Sequence, residues 1–210
     1  MRLIFLHGLG QTASSWDQVS SHFKDHEVIC PELFDNGRLP ENLDQLKEKV
    51  NHLLADSDKN SLVIGVSLGG LLALSLLENP HPNLKGIVSC AGQYRFRNNQ
   101  AFRLQVAIFK LLPKRFFKKQ GWDKANILAF YKGIADIDMT EDLLKTQLLC
   151  HLVCGEKDTF NLKTSQELQK LIPNSQLTIL KNTGHESNKE NPNELSFVIK
   201  DFIERVEHVC

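Results

Sequence analysis

The stretch Leu62-Val63-Ile64-Gly65-Val66-Ser67-Leu68-Gly69-Gly70 joins a β-branched run to a leucine-rich one, with a serine at the joint. It fits the pattern small-x-Ser-x-small. A nucleophile on a sharp strand-to-helix turn occupies strained backbone space, and side chains two positions before or after it collide with neighbouring backbone. Gly65 and Gly69 remove those collisions. The turn also sets Ser67 at a helix N-terminus, where unpaired N–H groups and the helix dipole favour developing negative charge. That helix runs from Leu68 to about Leu77 and stops at Asn79-Pro80, because proline disfavours helix in the residue before it.

Outward from this joint, short β-branched or leucine-rich runs alternate with longer segments of helical period. Strands are expected over residues 2–6, 27–30, 62–65, 86–90, 148–154 and 176–180. Their nearly continuous apolar character is that of strands buried on both faces, so the expected class is α/β, a mostly parallel sheet with helices on both faces. Leu43, Leu46, Val50, Leu53 and Leu54 line one helical face after a start near Pro40 and Glu41. Phe197, Val198, Ile199, Phe202, Ile203 and Val206 mark a C-terminal amphipathic helix beginning near Pro192.

Composition narrows the function classes. The chain has 210 residues, 41% hydrophobic and 24% charged, with 25 basic and 25 acidic side chains and no net charge. That is one globular domain without the basic field of a dedicated nucleic-acid binder. No apolar run reaches the length of a membrane span, and residues 1–6 are too short for a signal peptide. Five cysteines, Cys30, Cys90, Cys150, Cys154 and Cys210, are scattered and lack metal-ligand spacing. Cytoplasmic, reduced thiols are the expectation, with no cofactor and no metal. P-loop, H-E-x-x-H and strand-borne G-x-G-x-x-G motifs are absent from the sequence.

A serine hydroxyl needs a base within hydrogen-bond reach and a third group to hold that base. Of eight histidines, His185 lies in Asn182-Thr183-Gly184-His185-Glu186, just after the last expected strand and at the same sheet edge as Ser67. Capping the following helix is its alternative role. Asp158, in Gly155-Glu156-Lys157-Asp158, follows the penultimate strand and completes the order Ser, Asp, His. Glu156 is its rival in the same loop; Asp136 and Asp138 are more distant ones. After the first strand comes His7-Gly8-Leu9-Gly10-Gln11, whose glycines allow a tight turn. The backbone N–H groups of Leu9 and Leu68 are the expected oxyanion donors, and His7 is expected to be structural.

Together these segments resemble the α/β-hydrolase family, in the family's order and over most of the chain. The resemblance implies Ser67 as nucleophile, His185 as general base and then acid, Asp158 as its partner, and an acyl-enzyme hydrolysed by water. Because the chain begins at the strand before the oxyanion loop, about six strands are implied, without the family's first two. Residues 92–146 fall where the family inserts a cap. They carry 11 Lys or Arg against 5 Asp or Glu, a net of +6, leaving 14 against 20, a net of −6, elsewhere.

Within that insertion, Phe102, Phe109, Trp122 and Phe130 are the expected lining of an apolar substrate pocket, with core packing as the alternative for each. The run Lys114-Arg115-Phe116-Phe117-Lys118-Lys119 is either a solvated face or a contact for an anionic surface or an acidic substrate. Three functions fit. The first is hydrolysis of a small carboxylic ester or thioester. The second is a lyase of the hydroxynitrile-lyase or menaquinone-pathway kind that uses the same triad for proton transfer. A ligand-binding receptor that keeps the triad is the third. Ester turnover and labelling of Ser67 by a fluorophosphonate separate the first from the other two.

Overall fold

β1 (Arg2–Leu6) is buried along its whole length, as a central strand covered on both faces must be. In the computed structural model, residues 1–34, 38–118 and 122–209 are described. A 3-10 turn (Ala13–Trp16) and α1 (Asp17–Ser20) lead to β2 (Glu27–Ile29), and α2 (Leu43–Ala55) to β3 (Ser61–Val66). From there α3 (Leu68–Ser75) leads to β4 (Leu84–Cys90). Four helices follow, α4 (Gln100–Leu111), α5 (Lys114–Lys118), α6 (Lys124–Gly133) and α7 (Thr140–Lys145). The chain then runs through β5 (Leu149–Gly155), α8 (Thr159–Leu171), β6 (Ser175–Leu180), α9 (Ser187–Glu190) and α10 (Pro192–Val209).

The six strands are all parallel, in the order β2-β1-β3-β4-β5-β6. The mostly parallel, six-stranded α/β expectation holds. The order reverses at the β1/β3 boundary: from β1 the chain crosses to one side for β2 and to the other for β3. In open α/β sheets the crevice beyond the strand C-termini at such a reversal is where ligands bind.

Alternation along each strand sends neighbours to opposite faces. Leu3, Phe5, Leu62, Ile64 and Val66 pack against Trp16, Val19 and the α10 stripe. Ile4, Leu6, Val63, Ile87 and Leu152 pack with α2, α3 and α8 on the other face. That second cluster extends without a break into Phe102, Phe117, Ile127, Phe130 and Leu143, so the four helices between β4 and β5 share its core.

Local details depart from the sequence reading. β2 stops at Ile29. α2 is capped by Asn42, whose side chain accepts the Gln45 N–H at 3.2 Å, rather than at Pro40 or Glu41. On α10 Phe197 is 73% exposed and Leu195 is buried instead. Only Leu195 keeps the three- and four-residue spacing to Val198, Ile199, Phe202, Ile203 and Val206. Cys210 and Lys119 lie outside the described residues.

Candidate active site

The joint between β3 and α3 is as tight as the glycine pattern requires. A Cβ at Gly65 would lie 2.0 Å from the Gly69 carbonyl oxygen, and one at Gly69 would lie 2.0 Å from the Leu6 carbonyl oxygen. Ser67 itself has φ 56° and ψ −112°, a left-handed backbone that costs on the order of 1–3 kcal/mol in a non-glycine residue. Two bonds hold it there: its N–H donates to the Cys90 carbonyl at 2.8 Å, and its carbonyl accepts the Leu71 N–H at 2.9 Å.

Three side chains from three different strand ends meet at this joint. Ser67 Oγ, after β3, lies 2.9 Å from His185 Nε2, after β6. His185 Nδ1 lies 2.6 Å from Asp158 Oδ2, after β5. A carboxylate at Nδ1 draws the ring proton to that nitrogen, so Nε2 is left to accept from the serine hydroxyl. The hydrogen bond that His185 donates to Asp158 raises the His185 pKa above its ordinary 6.5, against the opposing effect of burial. Burial pushes the Asp158 carboxyl up, yet the hydrogen bonds from His185 and Asn161 outweigh it and leave the pKa below 3.8.

Asn161 is a residue the sequence reading missed. Its Nδ2 donates to both carboxylate oxygens of Asp158 at 2.8 Å, and its Oδ1 accepts from Gln93 Nε2 at 2.6 Å, which fixes the amide orientation. The 3.2 Å separation of Asn161 Nδ2 and His185 Nδ1 is proximity between two donors once Nδ1 carries its proton. The available signal was Asp158-x-x-Asn161, the spacing of an N-cap to the third helical residue. Asp158 is the N-cap of α8.

Two more missed residues hold the His185 loop. Glu190 accepts the Gly184 N–H at 2.6 Å and the Glu186 N–H at 3.1 Å, bracketing His185. Gln11 accepts the Gly8 N–H at 3.2 Å through Oε1 and donates to Glu186 at 2.8 Å through Nε2, tying the loop after β1 to the loop after β6. The Gln11 pairing has no local pattern, since Gln11 and Glu186 are far apart in the chain, whereas Glu190 bonds within its own segment.

The remaining expectations divide. Among the described residues, neither the Leu9 nor the Leu68 N–H donates to a backbone carbonyl, and both residues line the cavity beside Ser67. His7 is buried with its Nε2 accepting the Leu33 N–H at 3.0 Å. That bond and the burial that lowers its pKa make it a neutral structural ring, so the 3.4 Å approach of Glu32 is not an ion pair. Glu156 accepts the Asn182 N–H at 2.9 Å, and Asp138 accepts the Thr140 N–H at 3.1 Å. Asp136 is exposed, and none of the three lines the cavity.

The cavity over Ser67 measures about 320 Å³. Phe102 and Phe130 line it, together with Phe96, Tyr131, Ile134 and Phe160. Phe109 and Trp122 do not. Phe109 packs behind Tyr131 at 5.3 Å and on Phe117 at 5.7 Å, and Trp122 lies edge-on to Phe34 at 5.7 Å, both as core. Among the described residues no group of three or more His, Cys, Asp or Glu is placed to hold a metal ion.

A parallel sheet with a glycine-flanked serine elbow and an imidazole at hydrogen-bond distance defines a class. Residues 3–196 match the alpha/beta hydrolase family, and the chain belongs to it. It is 22% identical to pimeloyl-[acyl-carrier protein] methyl ester esterase of Vibrio vulnificus (strain YJ016) over 222 residues, which cover 87% of this chain and 86% of that protein. In structure it is similar to a lipase-esterase related protein from Clostridium acetobutylicum ATCC 824, with TM-score 0.78 and 20% identity over 96% of this chain and 93% of that one. It is also similar to MenH from S. aureus, with TM-score 0.77 and 16% identity over 99% and 94%. No helix among the described residues is long and apolar enough to cross a membrane.

Proposed function

We propose that the protein hydrolyses a carboxylic ester, thioesters included, with Ser67 as nucleophile, His185 as general base and acid, and Asp158 as the group that orients His185. The observation that carries this is the unbroken chain Ser67 Oγ to His185 Nε2 to Asp158, at 2.9 and 2.6 Å. In this reading Oγ attacks the ester carbonyl as its proton passes to Nε2. The Leu9 and Leu68 N–H groups take the oxyanion, each such donor contributing about 3–4 kcal/mol where one has been removed. The protonated His185 returns the proton to the leaving alkoxide, which departs as alcohol. A water then loses its proton to Nε2 and attacks the acyl carbonyl, and as the bond to Oγ breaks and the acid leaves, His185 returns that proton to the Ser67 oxygen. The similarity to a methyl ester esterase supports an ester as substrate.

Helices α4–α7, residues 92–146 with their connections, act as the cap, and Phe102 and Phe130 form the acyl wall. Among the described residues Cys30, Cys90, Cys150 and Cys154 are free thiols, which supports a reducing, cytoplasmic compartment. The test is turnover of short p-nitrophenyl esters and labelling by a fluorophosphonate. Wild type turns over and labels, while Ser67→Ala loses at least about 10⁴-fold in kcat and all labelling. Normal turnover by the alanine variant overturns the assignment, and labelling without ester turnover points to proton-transfer chemistry instead.

A further inference from the structure

The outer face of α4 and α5 has a pattern that ester hydrolysis does not use. Leu104, Ile108 and Leu111 follow one another at helical spacing and are 63%, 47% and 86% exposed, and Phe116, 42% exposed, extends the stripe. The opposite stripe of α4, Phe102, Val106 and Phe109, packs inward. α4 is therefore apolar on two sides and covered on one. Interleaved with the exposed stripe are Arg103, Lys110, Lys114, Arg115 and Lys118, and residues 100–118 contain no carboxylate. Among the described residues no carboxylate pairs with any of these five cations. Beside the stripe an apolar groove of about 590 Å³ runs between α4 and α6, and Phe102 and Tyr131 form both its floor and a wall of the cavity over Ser67.

We propose that this face docks on an anionic phospholipid bilayer, with the leucine and isoleucine stripe in the headgroup–acyl boundary and the five cations against lipid phosphates. Three arguments favour this occupant. Large aliphatic side chains left in water beside unpaired cations are the composition of an interfacial helix. Residues 92–146 carry +6 and the rest of the chain −6, so the field of a negative surface turns this face towards it. The stripe's side chains also stand out in solvent, Leu111 at 86% exposure, so a bilayer receives them without a matching groove. A second copy is disfavoured, because apposing two such faces brings like charges together. Docking here stands on its own observations and does not depend on the hydrolytic assignment.

The experiment is flotation of the full chain with phosphatidylcholine vesicles with and without phosphatidylglycerol, at low and high salt. The wild type is expected to float with the anionic vesicles only and to be released by salt. Lys114→Glu with Arg115→Glu is expected to weaken binding by at least tenfold, since each basic side chain at such a surface contributes about a fivefold factor. Ile108→Asp with Leu111→Asp is expected to abolish binding. Both double variants should melt within a few degrees of wild type, because the replaced side chains are exposed. No flotation with anionic vesicles, equal binding to neutral ones, or binding only to an acidic protein overturns the proposal. So does a wild-type dimer in sedimentation that the aspartate variant dissociates.

Discussion

Asp158 is where the candidate site has most of its leverage. The carboxylate does three things at once: it caps α8, accepts two bonds from Asn161 and holds the His185 ring by a 2.6 Å contact. A base must be neutral to take the serine proton, and the Asp158 bond raises the His185 pKa above 6.5. The acid limb of kcat/KM is therefore expected above the ordinary imidazole pKa, with activity rising as pH climbs through it. Asp158→Asn removes the charge and offers an amide donor to Nδ1, which favours the wrong tautomer. If Asp158 acts as proposed, the variant's kcat should fall by about 10⁴-fold, the loss known for a serine-triad aspartate, and the residual limb should move to lower pH. Paired pH–rate profiles read both effects, and an unmoved limb would mean that another group titrates.

At the scale of elements, the elbow between β3 and α3 was legible because its constraint is local. Glycines two residues either side of a serine, between a β-branched run and a leucine-rich one, leave few other conformations. Gly69→Ala tests the point: its Cβ would lie 2.0 Å from the Leu6 carbonyl, so either β1 and α3 separate or the turn opens. We expect a loss of about 2–3 kcal/mol in stability, typical of forced overpacking, and a fall in ester turnover beyond the loss of folded protein. Urea unfolding and active-site titration with a fluorophosphonate measure the two separately. The strands and the long amphipathic helices were legible for a similar reason, since their burial imposes a period. The aromatic residues between β4 and β5 were not. Phe102 and Phe109 belong to one helix, yet only Phe102 reaches the cavity, because Tyr131 from α6 stands between Phe109 and that space. Nothing in the spacing of α4 states where α6 lies. Gln11 was hidden likewise, its partner Glu186 being set by how two loops approach across the sheet edge.

Across the whole molecule, the sheet separates two apolar clusters, and the loops that bear Ser67, Asp158 and His185 extend from its C-terminal edge. Much of that apolar core lies in the sheet and the helices flanking it, and one buried group there should show a pH-dependent contribution to stability. His151, on β5, bonds Thr178 Oγ1 at 2.9 Å and lies edge-on to Phe202 of α10 at 5.7 Å. Burial, helped by Arg205 and opposed by Asp201, lowers its pKa to about 4 from 6.5. Between those values the unfolded chain binds the proton that the folded chain refuses. This contribution to stability is thus complete above pH 6.5 and is lost as pH falls towards 4, amounting to about 2 kcal/mol by pH 5. His7, lowered by burial as well, acts in the same direction, whereas the raised pKa of His185 acts against it, so the His151 share has to be read by difference. His151→Gln keeps a polar partner for Thr178 without a titrating ring. Urea unfolding at pH 7 and pH 5 should show the variant losing about 2 kcal/mol less than wild type over that interval. An equal loss in both proteins would place the acid sensitivity outside β5 and α10.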